Sequence, residues 1–178
     1  GRNSSQDAIA NAKAIGKPGT KIVTLAQDYA FGRDGVEAFR EALKGTGAEI
    51  VHEEYAPTNT TDFTAVGQRI FDKLKDEEGD RVVFFLWAGG GNPMGKMQAM
   101  NPERFNIRFS TGGNILAALT SYKAYPGMEG ATYYFYNNPK NKINAWLNKE
   151  HKKRYGTPPD FFTAGGMSAG IAAVEALK

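Results

Sequence analysis

The sequence has no cysteine and only two histidines, His52 and His151. The first absence excludes disulfides, thiolate nucleophiles and cysteine-ligated zinc, and leaves the redox compartment open. The second, with the two rings far apart in sequence, argues against histidine metal sites and a histidine-based triad. No apolar run approaches the roughly 18 residues that would span a bilayer. The first residues, GRNS, contain no charged segment leading into an apolar one, so they are not a signal peptide; an exported protein would have lost its signal. Charge of one sign is scarce as well. The 22 Lys and Arg against 19 Asp and Glu leave +3, part of it in one run, Lys149-Glu150-His151-Lys152-Lys153-Arg154. Just after Trp146 and Leu147, that run reads as a solvated helix face, and no nucleic-acid partner is expected.

What is present suits a globular α/β domain. The 178 residues are 41% hydrophobic and 23% charged, enough chain to bury about 70% of its unfolded surface around one main core. Apolar runs alternate with helical patterns. The spacing predicts a capping box at 4–7 opening a helix through Ile15, then a buried strand at 21–27 (KIVTLAQ). A helix over 35–44 places Val36, Phe39, Ala42 and Leu43 on one stripe, and Gly45-Thr46-Gly47 ends it. A strand at 49–55 and a polar loop precede a helix opened by Asp62, with Val66, Ile70, Phe71 and Leu74 on one face. The nearly continuous apolar run 81–87 (RVVFFLW) suits a central parallel strand covered on both faces. Strands are also predicted at 107–111 and 131–136, with a short helix at 115–122 between them. This order argues for a doubly wound parallel sheet. Ligands on such sheets sit beyond the carboxyl ends of the strands, which singles out the turns 28–34, 56–62, 87–92 and 111–114. After Asn137-Asn138-Pro139 the pattern changes to two extra C-terminal helices, 141–155 and 161–178, with no strand between them; the second is rich in small residues and needs a partner surface.

The stretch LWAGGGNPMGKM, 86–97, tests for a phosphate-binding loop. Met97 stands where a Ser or Thr should hold Mg²⁺, and Pro93 removes an N–H from the cradle. Asn92-Pro93 reads instead as a cap followed by proline in the first helical turn, so the glycines make a strand-to-helix turn. No cofactor and no metal are expected. Asp28 and Asp34 lie in a turn rich in cap positions, and no nucleophile sits near a base in the pattern, so catalysis is not predicted.

Five stretches in order, KIVTLAQDYAFGRDGVEAFREALKGTGAEIVHEEYAPTNTTDFTAVGQRI, WAGGGNPMGKM, STGGNIL, PGMEGATYYFY and WLNKEHKKRYGTPPDFFTAGGMSAGIAAVEAL, span nearly the whole chain. Together they resemble the second lobe of type I periplasmic solute-binding proteins, the branched-chain amino-acid binding group of ABC importers. The resemblance implies two lobes joined by three crossings that close on a ligand, with the first crossing near Arg2 and a return near 136–139. On that reading 1–137 is the second ligand-binding lobe, and 138–178 holds helices of a first lobe whose sheet is absent here. The apolar face of 161–177 is then expected to be exposed, or covered by the missing lobe or another chain.

The resemblance also implies ligand contacts at Phe31, just before Gly32, with Tyr29 nearby; at Trp87, Ala88, Gly89 and Gly91 after the third strand; and at Thr111, Gly112 and Tyr136. Read from the residues alone, Phe31 and Trp87 are as compatible with core packing. Amino-acid binders of the group place a carboxylate after the fourth strand to pair the ligand's ammonium group, where STGG offers Thr111 and Gly112. The implied ligand is therefore either an amino acid or an aromatic or other organic acid, and the implied partner a membrane permease at the periplasmic or extracellular face. The ligand-sensing lobe of a receptor or transcription regulator has the same architecture and is the alternative.

Overall fold

A computed structural model describes residues 4–112, 114–125 and 127–178. Its elements are helix α1 (Ser4–Ile15), strand β1 (Thr20–Gln27), α2 (Ala30–Leu43), β2 (Glu49–Ala56), α3 (Thr64–Leu74), β3 (Asp80–Leu86), α4 (Met94–Gln98), β4 (Ile107–Thr111), α5 (Leu116–Ser121), α6 (Lys142–Tyr155) and α7 (Phe161–Ala176). The four strands form one sheet in the order β2-β1-β3-β4, and every neighbouring pair is parallel. This is the predicted parallel α/β sheet flanked by helices. The capping box read at 4–7 depends on the Ser4 side chain, which lies outside the description.

The middle strands are apolar on both faces because both faces are covered. Ile22, Val82 and Phe84 pack with Ala8, Ala12 and Ile15 of α1 and with Phe39 and Leu43 of α2. Phe39 and Phe84 stack with ring centroids 4.2 Å apart. The alternate residues Val23, Leu25, Val83 and Phe85 are equally buried, as are Ile70, Phe71 and Leu74 of α3. Asp80, at the start of β3, pairs with Arg108 of β4 through two hydrogen bonds of 2.9 and 2.5 Å. The guanidinium holds the Asp80 carboxyl below the usual carboxylate range.

Two elements differ from the sequence expectation. Helix α2 opens at Ala30, five residues before Gly35, so that much of the supposed turn is helical. Gly32 makes this possible: it is buried, and a Cβ there would overlap the Gln27 carbonyl oxygen. The fifth strand, predicted at 131–136, does not form. Isolated parallel bridges join Ser110 to Glu129 and Asn114 to Thr132, and the rings that suggested a strand are engaged by side chains instead. Tyr133 packs against Phe161 with centroids 4.7 Å apart, and the Tyr134 hydroxyl donates to Asn144 Oδ1. Alternating aromatics imitate a half-buried strand whether backbone or rings are paired.

The sheet with its helices and the segment Ala124–Ala131 is one compact unit; Asn114–Lys123 with Thr132–Lys178 is a second. Within the second unit Asp160 caps α7, accepting from the Phe161 N–H at 2.8 Å, and also accepts from the Leu116 N–H at 3.0 Å. No residue of α7 is buried, and Phe162 is 72% exposed. The expectation that its apolar face lies open holds in this chain.

Two measurements check this packing. Truncating Phe84 to alanine should cost about 3–5 kcal/mol in urea denaturation, because the ring is enclosed and stacked. The Asp80–Arg108 pair should stabilise above about pH 4, the ordinary aspartate value. That contribution disappears as pH falls through the lowered folded-state value, so the deficit of Arg108→Met should be full at neutral pH and shrink in acid.

Candidate functional site

Parallel pairing puts the carboxyl ends of all four strands at one edge. There β1 ends at Gln27, β3 at Leu86 and β4 at Thr111, with β1 beside β3 and β3 beside β4. The segments carrying Tyr29 and Phe31, Trp87 to Gly91, and Thr111 and Gly112 therefore leave adjacent strands on the same side.

After β1 the chain turns sharply. The Asp28 N–H donates to the Ala56 carbonyl at 2.9 Å, and the Tyr29 N–H folds back onto the Gln27 carbonyl at 2.9 Å. Tyr29 is extended and opens α2 as its N-cap. Tyr29 and Phe31 are 43% and 42% exposed and stack on each other with centroids 5.8 Å apart. Phe31 is thus no core residue, and the two rings offer a paired aromatic surface to solvent. In the same turn Arg33 donates to Asp28 Oδ1 at 2.9 and 2.6 Å while its guanidinium lies 4.7 Å from the Tyr55 ring centroid. Burial pushes the Tyr55 phenol up to about 12, aided by its hydrogen bond to Glu53, so it stays a neutral donor.

Beyond β3, Trp87 is half-buried, set edge-on to Phe63 at 5.4 Å, with its Nε1 donating to the Gly90 carbonyl at 3.2 Å. Gly89 and Gly91 adopt φ of +75° and +70°, which side-chain-bearing residues resist. A Cβ on Gly89, Gly90 or Gly91 would meet nothing within 4 Å. The cluster is therefore a left-handed turn facing open space. Ala88 is exposed, and both its backbone polar groups are held by the Gln27 side chain: Nε2 donates to the Ala88 carbonyl at 3.2 Å, and the Ala88 N–H donates to Oε1 at 2.9 Å.

The phosphate-loop alternative fails on the same geometry. Met97 is fully buried, Lys96 donates to the Thr61 carbonyl, and Asn92 Oδ1 accepts from the Met94 N–H at 2.9 Å, the capping role read from sequence.

At the end of β4, Thr111 is buried, and its Oγ1 donates to the Phe85 carbonyl at 3.3 Å. Gly112 lies tight against the Asn11 side chain of α1, where a Cβ would overlap the amide. Tyr136 belongs to the second compact unit; it is half-buried and packs on Phe135 at 4.7 Å, while its carbonyl accepts from Asn144 and Asn148. Gln27 and Asn11 escaped the sequence reading. The available signal for Gln27 was one amide finishing an otherwise apolar strand at this edge; nothing in the sequence pairs Asn11 with Gly112. Among the described residues no cluster of acidic and histidine side chains could hold a metal ion, and no helix is long and apolar enough to cross a membrane.

The sequence profile of the periplasmic binding proteins matches residues 2–178. The chain belongs to the periplasmic binding protein family. A solved ABC-type branched-chain amino acid transporter protein from Rhodopseudomonas palustris is 67% identical with a TM-score of 0.89, over 95% of this chain and 46% of that one. A solute-binding protein of an ABC transporter from Rhodopseudomonas palustris BisB5, solved with 3,4-dihydroxybenzoic acid, is 26% identical with a TM-score of 0.63, over 99% of this chain and 48% of that one. The Leu/Ile/Val-binding protein homolog 6 of Brucella melitensis is 33% identical over 86 residues, 48% of this chain and 21% of that protein. The chain thus spans about half the length of these solved relatives and matches a fifth of the curated one.

The two kinds of glycine at this edge separate by substitution. Gly32→Ala should cost about 3 kcal/mol in thermal or urea unfolding, since helix and strand must part. Gly90→Ala, which meets open space, should stay within about 0.5 kcal/mol.

Proposed function

We propose that this chain is one ligand-gripping half of an extracytoplasmic solute-binding subunit of an ABC importer. In this reading 1–137 is the second ligand-binding lobe, and 138–178 supplies helices that pack on a first lobe. The observation that carries it is the shared edge where exposed stacked Tyr29 and Phe31 neighbour a glycine turn open to solvent. The 67% identity to an ABC transporter protein of twice the length supports it. Trp87, Ala88, Gly89, Gly91, Thr111 and Gly112 complete the proposed contact set at this edge; the contact that the family resemblance implies at Tyr136 belongs to the second unit and is proposed by itself.

The mechanism is closure. A solute touching both lobes favours the closed state by its differential affinity, and a membrane permease reads that shape. One wall binds weakly, because half of the contacts and most of the desolvation are missing. The location is the periplasmic or extracellular side.

The ligand class supported best is a small carboxylate with an aromatic or apolar body, stacked on Tyr29 and Phe31. The β4 end, where Thr111 is buried with its hydroxyl on the Phe85 carbonyl and Gly112 follows, presents no carboxylate where an amino acid's ammonium group would need one, and an unpaired ammonium in a closed cleft costs several kcal/mol. The Asp28 carboxylate is already held by Arg33. The 26% identical relative bound to 3,4-dihydroxybenzoic acid agrees with this class. An amino acid is the second reading, favoured by the branched-chain amino acid transporter at 67% identity.

Calorimetry on the full-length protein with 4-hydroxybenzoate, phenylalanine and leucine tests the choice. Binding of 4-hydroxybenzoate, weakened about tenfold by Phe31→Ala, is the expected result, the worth of one aromatic contact. Tight leucine binding without aromatic-acid binding refutes the ligand class.

A further inference from the structure

We infer that Gln27 is a positioning residue that locks two parts of the proposed rim to each other, a role that rests on the binding reading above. Gln27 is the last residue of β1 and is 5% exposed. Its side chain bridges to the turn after β3 and satisfies both the N–H and the carbonyl of Ala88, at 2.9 and 3.2 Å. The ladder between β1 and β3 has ended by then, with Ala26 opposite Leu86 as the last partners. The amide therefore acts as one more rung, made by a side chain after the backbone has diverged.

The backbone of the same residue anchors the other rim. The Gln27 carbonyl accepts from the Tyr29 N–H at 2.9 Å, and Gly32 in the first turn of α2 lies directly against it. One residue thus sets where the Tyr29–Phe31 ring pair and the turn after β3, with Trp87 at its base, stand relative to each other. A primary amide suits this position. It carries one donor end and one acceptor end, matching a peptide unit, whereas a carboxylate only accepts and a hydrocarbon does neither. Without it, the Ala88 peptide group loses both partners, and the glycine turn is left to the Trp87 indole bond on the Gly90 carbonyl and loosens.

The test pairs Gln27→Met, which keeps length and loses both hydrogen bonds, with Gln27→Glu. In a Trp146→Phe background Trp87 is the one tryptophan left, and its emission reports the turn without any ligand. Gln27→Met should shift that emission to the red and, in the full-length protein, weaken 4-hydroxybenzoate about tenfold or more, while thermal unfolding stays cooperative. Gln27→Glu should behave like Gln27→Met at about pH 8 and like the parent near about pH 5, because burial raises a carboxyl above its ordinary 4.3 and the protonated acid regains one donor and one acceptor. A packing role alone gives no such pH profile. Unchanged emission in Gln27→Met overturns the lock. Shifted emission with unchanged affinity overturns its part in binding. Failure of the parent protein to bind 4-hydroxybenzoate, phenylalanine and leucine overturns the binding reading, while the emission still decides the lock.

Discussion

The parallel pairing of β1 with β3 is the constraint on which the rest depends. It runs in unbroken register from Thr20 opposite Asp80 to Ala26 opposite Leu86. In a parallel sheet all strands deliver the chain to the same edge, so residues 60 positions apart in sequence leave the core as neighbours. The helices enforce that register. Phe39 on Phe84 covers one face and the α3 residues cover the other, and a slip of one residue would turn each buried ring toward the wrong helix.

At that edge the backbone leaves its ladder and must find other partners, since orphaned polar groups near a core are costly. Four different devices serve two turns, those after β1 and β3. The Asp28 N–H extends the β1–β2 ladder, the Gln27 amide holds Ala88, the Trp87 indole closes on Gly90, and Asn92 caps α4. Gly89 to Gly91 face open space, whereas Gly32 and Gly112 are small because other groups press on them.

The second unit is organised differently. Its core contribution is slight, with Leu147 and Asn144 buried on α6 and no residue buried on α7. Polar groups do much of the ordering: Asn144 accepts from Tyr134 and donates to the Tyr136 and Pro139 carbonyls, and Asp160 binds the start of α5 as well as its own helix. Helix α7 is apolar in composition, yet no residue of it is buried.

The sequence by itself determined the order of the four strands and the helices between them, the parallel class of the sheet and all four strand ends to within a residue, because burial on both faces forces continuous apolar runs and helices need a stripe. It also identified the segments at the carboxyl edge, since that rule needs only the order of strands and helices. What it misjudged was local: alternating rings at 133–136 read as a strand, although Phe161 and Asn144 claim those side chains. What only the tertiary structure decided was which groups meet. That Phe31 is exposed while Thr111 is buried, that Gly112 carries the Asn11 amide and that Gln27 grips Ala88 are contacts across as many as 101 positions of chain (112 − 11). Pattern reports the environment of a residue averaged over its element; the identity of its partner is fixed only when strands pair and helices pack over them.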